Sequence, residues 1–206
     1  MEISVATLDQ REVYKLMSGC ILPRPIAWVS TQDRAGCRNL APFSFFNGVA
    51  SNPPSLSVSI SASSDATRPL GTKDTLRNIL ETGEFVVNVV TEATVEAMVE
   101  TSREFPADED EFSVTGLTPV PSVTVRPPRV AESPVSFECV LHGTMQVGRG
   151  PGSSTLVVGI IQHLSIRDDL LNERGYVEIR RLQPVGRLAG SAYCAVREVF
   201  DLKPKV

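Results

Sequence analysis

Alternation of aliphatic and serine side chains in residues 55–61 constrains the fold of this chain more than any other sequence feature. The segment has the sequence Ser-Leu-Ser-Val-Ser-Ile-Ser. A period of two places the aliphatic side chains on one face of an extended strand and the hydroxyls on the other. The pattern therefore predicts a half-exposed β-strand. A functional alternative is a small polar wall beside a ligand, to which Ser59 and Ser61 would contribute.

Further extended segments follow along the chain. Residues 26–31 are β-branched and aromatic and precede a polar turn, so a second strand from about Arg38 would complete a hairpin. Residues 84–90 are mostly apolar, which is typical of a buried strand. Residues 135–147 and 155–166 flank a glycine-rich turn and predict another strand pair.

Two short helices are expected in the middle of the chain. Residues 75–82 have helical apolar spacing, with Asp74 as the N-cap and Gly83 as the C-terminal stop. Residues 92–101 predict a second helix. Its core face would carry Val95, Met98 and Val99.

Proline density distinguishes residues 103–134, which we call the arm. Its 6 prolines exclude central strands and long helices, and a loop of this length in a compact domain is often a lid or a partner-facing arm. Many short strands, turn signals and few helices favour a mainly β barrel. Because no glycine-rich dinucleotide motif follows a strand, we expect one domain over residues 1–206, with its core at about 18–203, and not a Rossmann fold.

Charge and composition exclude several classes of partner. The formal net charge of −4 gives no electrostatic reason to expect nucleic acid. No apolar run approaches the roughly 18 residues of a membrane span, and the N-terminus has no secretory pattern. A cytoplasmic location is therefore expected. The 4 cysteines and 2 histidines lack metal-ligand spacing, so no metal site is expected.

Lys73, Asp74 and Thr75 stand where the first predicted helix begins. A helix N-terminus attracts a phosphate, and an adjacent lysine adds a full positive charge. Arg68, five residues upstream of Lys73, can close the same site. The Asp74 carboxylate would repel a phosphate unless it caps the helix and points away. An ordinary capped helix is the alternative interpretation.

Residues 39–44 are too polar for a core strand and too apolar for a solvated loop. Such a segment suits a surface that covers a flat, half-polar molecule. Ala41 and Pro42 permit close approach, Asn39 and Ser44 can supply polar contacts, and the Leu40 backbone can hydrogen-bond a ring edge. The alternative is the return strand of a hairpin with an aromatic cluster at Phe43, Phe45 and Phe46.

Together with residues 24–30, these segments follow one another in an order that resembles the flavin reductase-like family. The resemblance implies an FMN-binding split β-barrel with Greek-key-like topology that forms a homodimer, with FAD less suitable than FMN. It places the Lys73 motif at the flavin phosphate and residues 39–44 at the isoalloxazine ring. It also implies that Ser30 lies near the ribityl chain.

The residues expected at the cofactor combine the resemblance with the patterns above. Trp28 can instead fill the core, and Arg24 can reach a phosphate or a nicotinamide, or lie on the surface. Residues 182–193 resemble the family's C-terminal signature, with Ala189 in place of a glycine. The expected cofactor residues are Arg24, Trp28, Val29, Ser30, Asn39, Leu40, Ala41, Pro42, Ser44, Ser59, Ser61, Arg68, Lys73, Asp74 and Thr75. Residues without an assigned role are His163, Arg187 and Tyr193.

The resemblance implies an NAD(P)H-dependent oxidoreductase. A reduced nicotinamide would pass a hydride to the flavin, and electrons would go on to a further acceptor, without an acid–base residue of the protein. One alternative is an FMN-binding module that relays electrons from or to a protein partner without turning over nicotinamide. Another is a ligand-free barrel that acts through its arm.

Overall fold

The structure is a computed structural model that describes residues 1–63 and 71–204. Its fold is mainly β. The strands are β1 (Ala27–Gln32), β2 (Arg38–Phe43), β3 (Phe46–Ser51), β4 (Pro54–Ser61), β5 (Glu84–Val89), β6 (Pro119–Val120), β7 (Arg129–Val130), β8 (Val135–Val147), β9 (Ser154–Ile166), β10 (Val185–Arg187) and β11 (Tyr193–Ala195). The helices in these residues are α1 (Gln10–Cys20), α2 (Asp74–Thr82), α3 (Val95–Glu100), α4 (Glu111–Thr115) and α5 (Ile179–Leu182). The expected class, mainly β with short helices, is confirmed.

Seven strands form one antiparallel sheet in the order β2-β1-β5-β8-β9-β4-β3. The alternation in residues 55–61 is confirmed, because Leu56, Val58 and Ile60 are at most 2% exposed and lie in one core cluster. The serines of β4 lie on its other face. The hairpin from residue 26 and the long pair β8–β9 are also confirmed.

Strand β1 is buried on both of its faces and separates two cores. Ala27 and Val29 pack into the first core, which is filled from β4, β5 and α2. Trp28 points the other way and packs into the second core, with Met98 of α3 and Phe112 of α4. Because successive strand residues face opposite sides, this double burial explains why residues 26–31 are apolar without interruption.

Two helix expectations need correction. Helix α2 begins at Asp74 and Lys73 occupies the N-cap position, so the prediction of Asp74 as the N-cap was wrong. Gly83 does end α2, in the left-handed conformation with φ 74°. Helix α3 is shorter than predicted, and Val99 is 36% exposed while Met98 is buried. Val99 is therefore not part of the core face.

Helix α1 is an element that the sequence patterns did not predict. Its start carries a reciprocal capping box, in which Asp9 accepts from the Glu12 N–H and Glu12 accepts from the Asp9 N–H. Ser18 is its one buried residue. In the described part of the chain, no helix is both long enough and apolar enough to cross a membrane.

The arm packs against the sheet from Leu117 onward and covers the second core. Leu117 and Val130 are buried there. Ser30 donates its hydroxyl to the Pro128 carbonyl, and Asn88 accepts from the Val130 N–H at 3.0 Å. This part of the arm is therefore a fixed cover and not a lid.

Glu138 on β8 holds the arm with a fully buried carboxylate. The carboxylate accepts from the Val123 N–H, the Thr124 N–H and the Thr124 hydroxyl, at 2.7–3.0 Å. The Arg129 Nε lies 3.6 Å away. Burial raises the pKa of Glu138, but these hydrogen bonds and nearby His163 outweigh it and hold the pKa below its usual value.

We expect Glu138→Gln to destabilise the protein near neutral pH by about 1.5–3 kcal/mol, the range for a hydrogen bond to a charged group. Because the folded-state pKa is lowered, the charged form stabilises the fold above the unfolded-state pKa of about 4.3, and this stabilisation disappears as pH falls through the folded-state value. Urea unfolding of both proteins from pH 7 to pH 3 measures it, and the difference should shrink with acidification.

Glu132→Gln is the matched control, since Glu132 also accepts a backbone N–H from within the arm but lies exposed. Its effect should be small at every pH. An equal loss of stability in both variants, or a Glu138→Gln difference that does not change with pH, would contradict the anchoring role of Glu138.

Candidate functional site

An open groove of about 90 Å³ lies between the edge of the sheet, the start of α2 and the segment after α3. The groove is lined on three sides by elements that are far apart in sequence. Its lining residues are Asn39, Ala41, Pro42, Phe43, Ser63, Lys73, Asp74, Thr75, Thr101, Ser102, Arg103, Glu104, Phe105 and Glu111.

The first wall is β2, an edge strand whose one paired neighbour among the described strands is β1. The Leu40 N–H points away from β1, because it donates to Glu111 Oε2 at 3.0 Å. Pro42 lies two residues further along β2, so its nitrogen faces the same way and its missing N–H costs no bond with β1. The proline in this segment is therefore compatible with a strand because the strand lies at the edge.

The second wall is the first turn of α2. The side chain of Asn39 donates from Nδ2 to Thr75 Oγ1 at 2.9 Å, and both residues are buried. This bond joins the β2 wall directly to the α2 wall. One turn further along the helix, Asn78 donates from Nδ2 to Thr31 Oγ1 at 3.1 Å. The start of α2 is therefore fixed to both β1 and β2.

Charge at the start of α2 favours an anion. The Nζ of Lys73 lies 5.7 Å from the centroid of the Phe43 ring. Asp74 Oδ1 lies 2.7 Å from the guanidinium of Arg77, so the carboxylate is compensated by a cation on the same helix. The repulsion of a phosphate by Asp74 is thereby reduced. The partial positive charge of the helix N-terminus adds to that of Lys73.

The third wall follows α3 and begins at Thr101, which is 1% exposed. The Trp28 indole N–H donates to Thr101 Oγ1 at 2.9 Å, and Thr101 donates to the Met98 carbonyl at 2.8 Å. Residues 102–110, which we call the strap, then run across the surface to Glu111 and Phe112, both buried. Buried residues therefore anchor the strap at both ends.

Six of the expected cofactor residues lie together in this groove: Asn39, Ala41, Pro42, Lys73, Asp74 and Thr75. The other expected residues that the structure describes do not line it. Trp28, Val29 and Ser30 are fully buried in β1, so the core alternative for Trp28 applies. The Leu40 side chain is also buried, and its N–H is already bound by the Glu111 carboxylate.

The other expected residues lie in separate places. Ser59 and Ser61 lie on β4, and neither lines the groove. Arg68 lies outside the described residues. Of the aromatic cluster, Phe43 is buried, while Phe45 and Phe46 are half-buried.

Arg24 is buried, so the prediction that it could be a surface residue was wrong. Its Nη1 donates to the carbonyls of Ser18 and Ile21 at 2.7 and 2.9 Å, and its Nη2 donates to the Leu188 carbonyl at 2.9 Å. Its Nε lies 3.4 Å from Ser44 Oγ. In this structure, Arg24 fixes the end of α1 and does not face the groove.

Arg187 and Tyr193 pair with each other on the β10–β11 hairpin, through a hydrogen bond and a ring contact of 4.5 Å. They do not line the groove. The sequence patterns missed the third wall, residues 101–105 with Glu111. No periodic signal marks these positions. The one local clue is Asp110, which caps α4 and so places Glu111 in the first turn of that helix.

Comparison with known proteins identifies the family. Residues 17–183 match the family described as flavin reductase like domain. A protein of Aquifex aeolicus without an assigned function is 42% identical over 206 residues, which is 100% of both chains. This match spans the groove and both cores.

Solved structures agree with this assignment. Nitrilotriacetate monooxygenase component B from Bacillus cereus is 35% identical with a TM-score of 0.91, covering 98% of each chain. The 2-nitrobenzoate 2-nitroreductase of Pseudomonas fluorescens is 31% identical with a TM-score of 0.88, covering 100% of this chain and 96% of that one.

The fold has the same support. A Shewanella frigidimarina protein with a split barrel domain superposes with a TM-score of 0.83 at 23% identity, covering 100% of both chains. The split β-barrel expected from the sequence is therefore confirmed. The extent of the family match and the identity to the relatives together place this chain in the flavin reductase-like family.

Proposed function

We propose that the groove binds FMN and that the protein is an NAD(P)H-dependent oxidoreductase. The observation that carries this proposal is the convergence of the Asn39–Pro42 edge and the Lys73–Thr75 helix start on one groove. A bound flavin supplies the hydride-accepting chemistry, and the protein supplies orientation and charge. Two similar solved structures are named as redox proteins, a nitroreductase and a monooxygenase component, and these names support this class of activity.

The residues present fit a flavin mononucleotide. Lys73 and the N-terminus of α2 suit its phosphate, and the Asp74 carboxylate is paired with Arg77. Ala41 and Pro42 form a flat, small-residue edge against which an aromatic ring can lie. Asn39 stays in place because Thr75 accepts its amide N–H. FMN suits this groove better than FAD, because the start of α2 offers one phosphate position.

The volume of the groove is below the about 300–1,000 Å³ that is usual for a pocket that encloses its ligand. A flavin would therefore lie partly across the groove, with one side of its ring accessible to a second molecule. This arrangement suits a reaction between a bound flavin and a nicotinamide that enters from solvent. No acid–base residue is required, because hydride transfer needs alignment of the two rings.

The proposed activity is tested by loading the protein with FMN, excluding oxygen, adding NADH or NADPH and recording visible absorption. We expect the flavin absorption to bleach. A flavin that binds but keeps its absorption with both donors would contradict nicotinamide turnover and favour an FMN-binding electron relay that uses a protein donor. Failure to bind FMN or FAD would contradict the flavin site itself.

Lys73→Ala should weaken FMN binding by about 1.5–3 kcal/mol, the contribution of a charge-assisted hydrogen bond. Riboflavin lacks the phosphate, so its affinity should change little. Quenching of flavin fluorescence measures both dissociation constants. Lys203→Ala, an exposed lysine near the C-terminus, is the control and should change neither. Equal weakening of FMN and riboflavin would rule out a phosphate contact for Lys73.

We also propose that the protein is a homodimer. Tyr14, Leu16 and Met17 on α1, with Ile21 and Leu22 just after it, are each 45–58% exposed. Several large apolar side chains exposed on and just after one helix suit an interaction site. A second copy of the chain is the partner that the family resemblance implies.

Light scattering should give about twice the chain mass of 22.3 kDa. Met17→Glu would bury a charge in the proposed interface and should shift the mass towards that of one chain. Lys15→Gln on the same helix changes the net charge by the same one unit and is the control for charge alone. A wild-type protein with the mass of a single chain would exclude the dimer.

A further inference from the structure

The strap brings a second cation to the groove, one that the proposed flavin contacts do not use. We propose that Arg103 binds a phosphate group of the reduced nicotinamide dinucleotide and so holds the hydride donor at the groove. This inference rests on the proposed function, because it concerns the second substrate of the same site.

Arg103 and Lys73 belong to different walls of the groove. Lys73 stands at the start of α2, whereas Arg103 follows the buried anchor Thr101 on the strap. FMN carries one phosphate, and the α2 wall already offers it a lysine and a helix N-terminus. With FMN as the flavin, a second phosphate near the strap belongs to another molecule. The diphosphate of a nicotinamide dinucleotide is such a group.

The present partner of Arg103 can be exchanged at low cost. Its Nη1 lies 3.3 Å from Glu100 Oε2, and the two side chains are 65% and 59% exposed. Exposed ion pairs of this kind contribute about 0–1 kcal/mol. By contrast, Arg77 pairs with Asp74, whose side chain is only 9% exposed. Arg103 can therefore leave Glu100 for a phosphate with little loss of stability.

Phe105 orients the guanidinium. The Arg103 Cζ lies 5.5 Å from the centroid of the Phe105 ring, which is half-buried in the same wall. An arginine held over an aromatic ring keeps its planar set of N–H donors available, and this geometry matches two oxygens of a phosphate. Because Thr101 and Glu111 are buried at the ends of the strap, the backbone that carries this pair is held beside the groove.

The test compares the FMN-loaded wild type with Arg103→Gln. Calorimetry gives the dissociation constants of NAD⁺ and NADP⁺, and anaerobic stopped-flow reduction gives KM and kcat for NADH and NADPH. We expect dissociation constants and KM to rise about tenfold, equivalent to about 1.4 kcal/mol, with kcat and FMN affinity little changed. Similar losses for both donors assign the contact to the shared diphosphate, and a loss confined to NADPH assigns it to the 2′-phosphate.

Glu100→Gln separates a direct contact from a structural one. It removes the ion pair but keeps Arg103, so dinucleotide affinity should stay the same or increase. If Glu100→Gln reproduces the loss seen with Arg103→Gln, the effect is structural and the proposal is wrong. Arg174→Gln, an exposed arginine in a turn, controls for net charge and should change neither constant.

The two proposals fail in different ways. If wild-type protein binds FMN and is reduced by nicotinamide, but Arg103→Gln has unchanged dissociation constants and KM, only the role of Arg103 is overturned. If the FMN-loaded wild type neither binds nor oxidises a nicotinamide dinucleotide, the proposed activity falls and this inference with it.

Discussion

Strand β1 is the element on which every wall of the groove depends. The Trp28 indole N–H is buried, and a buried donor without a partner costs about 1–3 kcal/mol, so its bond to Thr101 fixes the start of the strap. Thr31, at the other end of the strand, accepts from Asn78 and holds α2. The β2 edge pairs with β1 along its whole length. A groove formed by three distant segments can therefore keep one shape.

The two cores on either side of β1 explain why the proline-rich arm packs against the sheet. A strand buried on both faces needs a cover on each, and the second cover is supplied by α3, α4 and the arm. Prolines remove N–H donors from the arm, and buried side chains of the sheet accept hydrogen bonds from some of the backbone N–H groups that remain. Asn88 accepts one such N–H and Glu138 accepts two. The proline-rich composition thus belongs to a packed cover, and the part that borders the groove is the short strap.

Local patterns predicted the parts of the fold that depend on neighbouring residues. The alternation in residues 55–61 and the glycine after α2 report strand faces and a helix end directly. Helix α1 had a usable signal in Asp9 and Glu12, whose spacing is that of a capping box, although most of the helix lies on the surface. The N-cap of α2 was misplaced by one residue, because Asp74 is compatible with either position in the first turn.

The site could be predicted only in part, for a physical reason. The β2 edge and the start of α2 are more than thirty residues apart, and their meeting depends on the Asn39–Thr75 bond, which no local period reports. Family resemblance supplied that juxtaposition. It also grouped residues of β1 with the site, whereas in the structure these residues are fully buried and do not line the groove. Arg103 and Phe105 carry no periodic signal and join the groove through the buried anchor Thr101.

A crystal structure of the FMN complex would show whether the groove is the flavin site. We expect the flavin phosphate within hydrogen-bonding distance of Lys73 Nζ, about 2.7–3.2 Å, with the ring against Ala41 and Pro42. A flavin bound elsewhere, with its phosphate away from the start of α2, would contradict the assignment of the groove as the flavin site.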